Sequence, residues 1–205
     1  PASNRQGYLC AVFMLTERCI KHGACNWNPD QSCRSVRTIG PYQYAACVSS
    51  NIPSKAGGEI PVRWKGGNPA DRKEYGEAAK RAQTAGFDAV EIHAGHSYLI
   101  SQFLSPITNK RTDEFGGSPE NRARFASMIM KEVRAQVGPF FPIFVRISAD
   151  EFLEGGNTLE DTLDYLQYFQ EEADVIDVSA GLNGSIQYQI DANYLPDGWR
   201  SYMAK

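Results

Sequence analysis

The sequence predicts an α/β protein built around a parallel β-sheet. Three apolar segments typical of buried strands, at 87–93, 142–148 and 175–179, alternate with segments whose apolar residues recur at helical spacing. Strands that alternate with helices are joined by crossovers, which produce parallel pairing. The chain has 205 residues, enough for one globular domain with a buried core.

Capping residues mark where the predicted helices begin and end. Asn68 and Pro69 open the first helix and Gly86 ends it, whereas Ser118 and Pro119 open the second. The residues expected to face the sheet recur at helical spacing; they are Tyr75, Ala78, Ala79, Ala82 and Ala85 in the first helix, and Phe125, Met128, Ile129 and Val133 in the second.

A third helix is predicted between the last two strands. Thr158 and Asp161 have the spacing of a capping box, with Asp in place of the usual Glu. We expect the amphipathic face of this helix to contain Leu159, Leu163, Leu166 and Phe169. The final segment, Gly198–Lys205, has the pattern of the approach to another helix.

The first part of the chain gives weaker signals. Leu15–Gly23 fits the end of a helix that stops at its glycine. A strand near Cys25 is doubtful, because the segment is polar and Pro29 argues against a central strand. We expect residues 25–64, which become rich in Gly, Pro and Ser, to form an irregular loop region within the domain.

Composition excludes several classes of function. The net charge of −3 and the interspersed charges argue against a nucleic-acid partner, and no apolar run approaches the length of a membrane span. The sequence has no signal-peptide pattern, although it begins at Pro1. Its five cysteines form no C-x-x-C pair, so we expect no metal site within these residues and a reduced, cytoplasmic protein.

Two histidines and a tyrosine follow the first of the three strands. His93 and His96 lie at the predicted strand end, and Tyr98 comes two residues later. Side chains at the carboxyl ends of parallel strands face the ligand crevice. Such a group can donate hydrogen bonds to one substrate oxygen and deliver a proton. A structural pair of hydrogen-bonded histidines is the alternative, but two of the chain's three histidines in four residues favour function.

Arg146 is the charged residue inside the predicted strand 142–148. A buried guanidinium is costly unless it has a partner. The partner is either a carboxylate on a neighbouring strand or a bound group with anionic character, and we favour the second.

The segment 93–125 resembles a signature of the old yellow enzyme family of flavin-dependent oxidoreductases, which includes bacterial dienoyl-CoA and enoate reductases. The resemblance extends from about Glu59 to Gly181. The matching motifs are His93-x-x-His96, Tyr98-Leu99, Gln102-Phe103-Leu104-Ser105-Pro106, Asn109-x-Arg111-Thr112-Asp113, Gly116-Gly117-Ser118 and Glu120-Asn121-Arg122.

The resemblance implies a (β/α)8 TIM barrel, of which these residues form a partial barrel containing about strands 3–6. It implies FMN as cofactor and NADH or NADPH as reductant, with a small-molecule activated alkene of the enone or enoate type as substrate. An iron–sulfur cluster, present in larger relatives, would lie outside these residues.

The resemblance also assigns roles to the candidate site residues. His93 and His96 would hold the carbonyl oxygen of the substrate, and Tyr98 would be the proton donor. Arg146 and His93 would be cofactor-binding residues, with Arg146 against the N1 and O2 edge of the flavin.

Two other interpretations remain at this point. One is a truncated, non-catalytic barrel remnant that acts as a binding or assembly piece. The other is a flavin-free aldolase-type barrel, which lacks a convincing Schiff-base lysine because Lys110 lies in a polar loop. We expect Arg111 and Asp113 to form an ion pair that fixes this loop, and the sequence leaves a homo-oligomer open.

Overall fold

The structure is a computed structural model that describes residues 12–15, 69–189 and 199–204. The element bounds, in chain order, are β1 (Val12–Leu15), α1 (Pro69–Thr84), β2 (Ala89–Ala94), α2 (Leu99–Leu104), α3 (Pro119–Val137), β3 (Ile143–Ser148), α4 (Leu159–Leu166) and β4 (Val175–Ser179). Three short 3-10 helices cover Gln170–Glu172, Asn183–Tyr188 and Trp199–Ala204.

The four described strands form one parallel sheet in the order β1-β2-β3-β4. Strands that are neighbours in the chain are therefore neighbours in the sheet, and their carboxyl ends lie at one edge. The predicted parallel sheet is confirmed, and this edge is where the predicted site residues are found.

Alternate residues of the strands face opposite sides of the sheet, as the two-residue period of a strand requires. One side packs against α1 and α3 and forms the hydrophobic core, with strand residues Val90, Ile92, Ala94, Ile143, Val145 and Ile147. The other side carries polar and charged side chains, and we call it the polar face; it contains Glu91, His93, Arg146, Ser148, Asp177 and Ser179. The hydrophobic core and the candidate site residues therefore lie on opposite sides of the sheet.

Where the structure describes them, the helix ends agree with the capping residues in the sequence, and the predicted N-cap Asn68 lies outside the described residues. The Ser118 side chain accepts a hydrogen bond from the Asn121 backbone N–H at 3.3 Å, which caps α3. At α4 the capping box is complete, because Thr158 and Asp161 each bond the other's backbone N–H. Gly86 adopts a φ of 90° just after α1, a conformation that favours glycine.

Close packing of α1 on α3 depends on small residues. A Cβ at Gly76 would lie 2.8 Å from Gln136 Cγ and 2.9 Å from Glu132 Cγ, so the two helices approach closely there. Ala78, Ala79 and Ala82 are buried beside it, as the sequence predicts.

Three details of the sequence prediction are wrong. Leu15 belongs to β1, which pairs with β2, and not to the helix end expected over Leu15–Gly23; the rest of that segment lies outside the described residues. Leu163 is 61% exposed, since α4 turns Thr162, Tyr165 and Leu166 inward instead. Ala85 is exposed because it lies beyond the end of α1.

Two further expectations concern other parts of the chain. The doubtful strand near Cys25 and the loop region 25–64 lie outside the described residues. The final segment forms the 3-10 helix Trp199–Ala204, with Met203 buried. Among the helices of the described ranges, none has both the length and the hydropathy required to cross a membrane.

Candidate functional site

Three aromatic side chains that the sequence singled out lie together at the carboxyl end of β2. The His93 ring centroid is 5.0 Å from that of His96 and 4.6 Å from that of Tyr98. His93 is 5% exposed, whereas His96 and Tyr98 are half-buried. The two imidazoles and the phenol therefore form one contiguous group.

A tight turn brings these rings together. The Tyr98 backbone N–H donates to the Gly95 carbonyl at 3.1 Å, and the two central residues, His96 and Ser97, have φ values of 54° and 64°. These are the φ signs of a type I′ turn, which usually contains Gly or Asn. Non-glycine residues in this region cost about 1–2 kcal/mol each, so the surrounding structure must hold the turn in place.

Hydrogen bonds from the next two strands hold this turn. The His96 N–H donates to Ser148 Oγ at 3.0 Å, and His96 Nε2 lies 2.7 Å from Ser179 Oγ. Beyond β4, the Asn183 N–H donates to Ser97 Oγ at 3.1 Å. The strained turn is thus anchored on the ends of β3 and β4, which is consistent with strain at a functional site.

Glycine at position 95 allows this close approach. A Cβ there would lie 3.0 Å from Ser148 Oγ and 3.1 Å from the Ser148 backbone nitrogen. A side chain at position 95 would therefore require Ser148 to shift by a few tenths of an ångström.

Arg146 lies beside His93 on the polar face. The two residues are partners in the β2–β3 register, and Asp177 is the partner of Arg146 in the β3–β4 register. Arg146 Nη1 is 3.3 Å from Asp177 Oδ2. The neighbouring carboxylate that the sequence offered as one alternative is therefore present.

Three buried polar atoms at this ion pair make no hydrogen bond within the described part of the chain. They are Nδ1 of His93, Nε of Arg146 and Oε1 of Glu91. Buried polar atoms without a partner are rare, because each one carries a desolvation penalty of about 1–3 kcal/mol. Both alternatives for Arg146 are thus compatible with the structure, since the guanidinium has an ion-pair partner and also an unused donor.

Burial controls the ionisation of His93. Desolvation, together with the charges of His96 and Arg146, lowers the pKa of His93 from 6.5 to about 3. The imidazole is therefore neutral at physiological pH, with one nitrogen as donor and the other as acceptor.

Sequence reasoning missed two acidic residues of this site. Glu91 is 8% exposed and lies on the polar face two residues before His93, and Asp177 is the ion-pair partner of Arg146. Glu91 could have been predicted, because it is a charged residue inside a predicted buried strand, the same feature that singled out Arg146.

Sequence reasoning also missed a buried carboxyl group behind the site. Glu151 follows β3 and is 2% exposed. It accepts hydrogen bonds from Ser105 Oγ at 2.9 Å, from the Asn157 N–H at 3.0 Å and from Asn157 Nδ2 at 3.1 Å. Burial raises the pKa of Glu151 to about 7, although these hydrogen bonds and Arg122 oppose the rise.

The polar loop after α2 has the role that the sequence predicted. Arg111 forms an ion pair with Asp113, and its Nε donates to Asp113 Oδ1 at 2.8 Å. The Arg111 guanidinium also lies over the rings of Phe103 and Phe115. Lys110 is exposed and donates to the Pro106 carbonyl at 2.6 Å, which places it in the loop and off the strand ends.

The side chains at this edge have the chemistry that an isoalloxazine ring requires. A flavin presents carbonyl oxygens and ring nitrogens that accept hydrogen bonds, and its electronics respond to charge near N1. Arg146 supplies a positive charge and an unused Nε donor, and His93 supplies a neutral imidazole with an unused Nδ1. The residues present therefore fit FMN.

Comparison with known proteins identifies the family. Residues 71–202 match the model of the NADH:flavin oxidoreductase / NADH oxidase family. The NADH oxidase of Thermoanaerobacter brockii is 43% identical over 208 residues, which cover 97% of this chain and 31% of that protein. The chain thus spans about a third of the length of this relative.

Solved structures agree with this match. The old yellow enzyme homologue from Zymomonas mobilis is 26% identical with a TM-score of 0.58, over 65% of this chain and 41% of that chain. Morphinone reductase in complex with tetrahydroNAD is 28% identical with a TM-score of 0.55, over 77% of this chain and 46% of that chain.

The predicted fold class is confirmed, because the structural neighbours are TIM-barrel proteins and the described sheet is a partial (β/α)8 barrel. FMN and a nicotinamide nucleotide are the cofactors of proteins of this kind. The chain belongs to the NADH:flavin oxidoreductase / NADH oxidase family, which is the old yellow enzyme family.

Proposed function

We propose that this chain is part of an FMN-dependent ene-reductase, which reduces an activated alkene of the enone or enoate type at the expense of NADH or NADPH. The observation that carries the proposal is the contact of His93, His96 and Tyr98 at the strand-end edge, directly beside Arg146. When bound, FMN supplies the hydride for the alkene.

His93 and His96 would bind the carbonyl oxygen of the substrate. The two ring centroids are 5.0 Å apart, so both rings lie within reach of one bound oxygen atom. His93 is neutral, so it can donate a single N–H without adding charge. Donors fixed in advance at a developing oxyanion typically contribute about 2.7–4 kcal/mol each.

Tyr98 would deliver the proton to the α-carbon of the alkene. Its ring is 4.6 Å from that of His93, so the hydroxyl-bearing side chain lies next to the carbonyl-binding group. A positioned general acid typically contributes on the order of 10²–10⁴-fold to the rate. Arg146 and His93 would hold the flavin, with the guanidinium facing its N1 and O2 edge.

The test measures the two half-reactions separately in the complete protein with FMN bound. We expect Tyr98→Phe to reduce alkene reduction by on the order of 100-fold or more, because the phenolic proton is lost, while reduction of the flavin by NADH or NADPH continues. Alkene reduction at the wild-type rate would remove Tyr98 from the role of proton donor.

A binding or assembly piece without catalysis is the second candidate, since the chain spans about a third of its curated relative. The visible spectrum of the purified protein separates the two candidates. The ene-reductase carries a yellow flavin chromophore, and a protein that stays colourless after incubation with FMN is the binding piece.

A further inference from the structure

Two carboxyl groups that the proposed reaction does not use lie with Arg146 on the polar face. Glu91, Arg146 and Asp177 come from three adjacent strands. Arg146 and Asp177 form an ion pair at 3.3 Å, and Glu91 Oε1 is buried with no hydrogen-bond partner among the described residues. Two carboxyl groups and one guanidinium therefore share a partly buried site.

Asp177 is the register partner of Arg146 and forms the ion pair with it, whereas the buried Oε1 of Glu91 has no hydrogen-bond partner among the described residues. A buried carboxylate without a donor is costly, and one guanidinium balances only one negative charge. The geometry therefore favours one proton on the two carboxyl groups.

Burial indicates which carboxyl group holds the proton. Glu91 is 8% exposed, whereas the Asp177 side chain is 36% exposed and lies against Arg146. The charged form is stabilised where water and a guanidinium are near, so Asp177 is the carboxylate. Consistent with this, burial and the nearby Asp177 charge raise the pKa of Glu91, although Arg146 opposes the rise.

We propose that Glu91 keeps its proton in the folded protein, so that Asp177 alone balances the charge of Arg146 and both carboxyl groups act as positioning residues for the guanidinium beside the flavin. The proposal rests on the proposed function, because it requires FMN to face Arg146. With Glu91 neutral, the three side chains have no net charge, whereas an ionised Glu91 would make the group negative and disfavour the electron-rich reduced flavin.

The proton is tested by infrared difference spectroscopy, which does not depend on the flavin. Glu151, whose pKa is about 7, contributes a protonated-carboxyl band to both proteins, so its band cancels in the difference between the wild-type and Glu91→Gln spectra. We expect this difference at pH 7 to contain the carbonyl band of one further protonated carboxyl group. A difference spectrum without that band would overturn the proposal.

The charge balance is tested by the reduction potential of bound FMN. Asp177→Asn removes a negative charge, so we expect the protein's preference for reduced over oxidised flavin to rise about tenfold, or about 30 mV for a two-electron couple. Glu91→Gln replaces one neutral group by another and should leave the potential near the wild-type value. Asp164→Asn, an exposed substitution of the same type on α4, is the matched control.

The two variants also distinguish this proposal from alternatives. Equal shifts of the reduction potential in Glu91→Gln and Asp177→Asn would show that both carboxyl groups are ionised. An unchanged potential in Asp177→Asn would show that Asp177 does not balance Arg146. Each of these two results rejects the proposal. Wild-type protein that binds no FMN would refute the proposed function and the flavin part of this inference, while the infrared band would still decide where the proton lies.

Discussion

His93 combines three properties that determine its chemistry. It is 5% exposed, its Nδ1 has no partner among the described residues, and burial together with nearby positive charge lowers its pKa to about 3. A histidine held neutral in this way can donate one N–H to an acceptor and is a poor acid at physiological pH. Under the proposed function, the proton donor is therefore Tyr98 rather than His93.

The depressed pKa of His93 makes stability depend on pH. Between pH 6.5 and about 3 the unfolded chain binds a proton that the folded protein does not, so the contribution of His93 is complete above pH 6.5 and is lost as the pH falls. At pH 5 this amounts to about 2 kcal/mol of the free energy of unfolding.

Chemical denaturation of wild-type and His93→Gln proteins at pH 7.5 and pH 5 measures this contribution. The comparison with His93→Gln is necessary because Glu151, whose pKa is raised, has the opposite dependence on pH. We expect the wild-type protein to lose about 2 kcal/mol more than the variant between the two pH values. Equal losses would mean that His93 titrates normally in the folded protein.

At the scale of elements, Glu151 connects the loops that follow three parts of the fold. Its carboxyl group binds Ser105 after α2 and Asn157 before α4, and its carbonyl accepts from Ser185 Oγ at 2.6 Å in the segment after β4. The turn at His96 is hydrogen-bonded to the ends of β3 and β4 through Ser148 and Ser179. The loops that Glu151 connects therefore have to keep their relative positions for the site to remain assembled.

Replacing Glu151 should therefore destabilise the protein. In Glu151→Gln, the amide NH₂ faces donors from Ser105 or Asn157, so a buried donor loses its acceptor. We expect the free energy of unfolding at neutral pH to fall by about 1–3 kcal/mol. Glu154→Gln is the matched control because Glu154 is exposed on the same loop. An equal effect of the two substitutions in denaturant unfolding would contradict this role.

The elements differ in how far the sequence predicts them. Helix starts at Ser118 and Thr158 and the three longest strands are local features, so capping residues and apolar runs were sufficient. The charged neighbours of Glu91 and the hydrogen-bond partners of Glu151 come from other strands and loops. The exposure of Leu163 depends on how α4 rotates against the sheet. Such features depend on tertiary packing, which the local pattern does not specify.

At the scale of the whole molecule, the parallel order β1-β2-β3-β4 places the candidate site residues at one edge of the sheet. His93 and Arg146 are 53 positions apart in the sequence and become register partners because adjacent parallel strands end at one edge. The sequence predicted this convergence of His93, His96, Tyr98 and Arg146 from strand ends and from the family resemblance. The other two thirds of the Thermoanaerobacter brockii NADH oxidase have no counterpart in the matched segment.

The measurement that tests the central claim most directly is titration of the oxidised, FMN-loaded protein with a phenol-type ligand, followed by the flavin absorbance. We predict that replacing His93 and His96 together by alanine weakens binding at least tenfold, because both donors to the ligand oxygen are lost. Lys110→Gln, an exposed loop substitution, should bind like the wild-type protein. A double variant that binds the phenol as tightly as the wild-type protein would contradict the account.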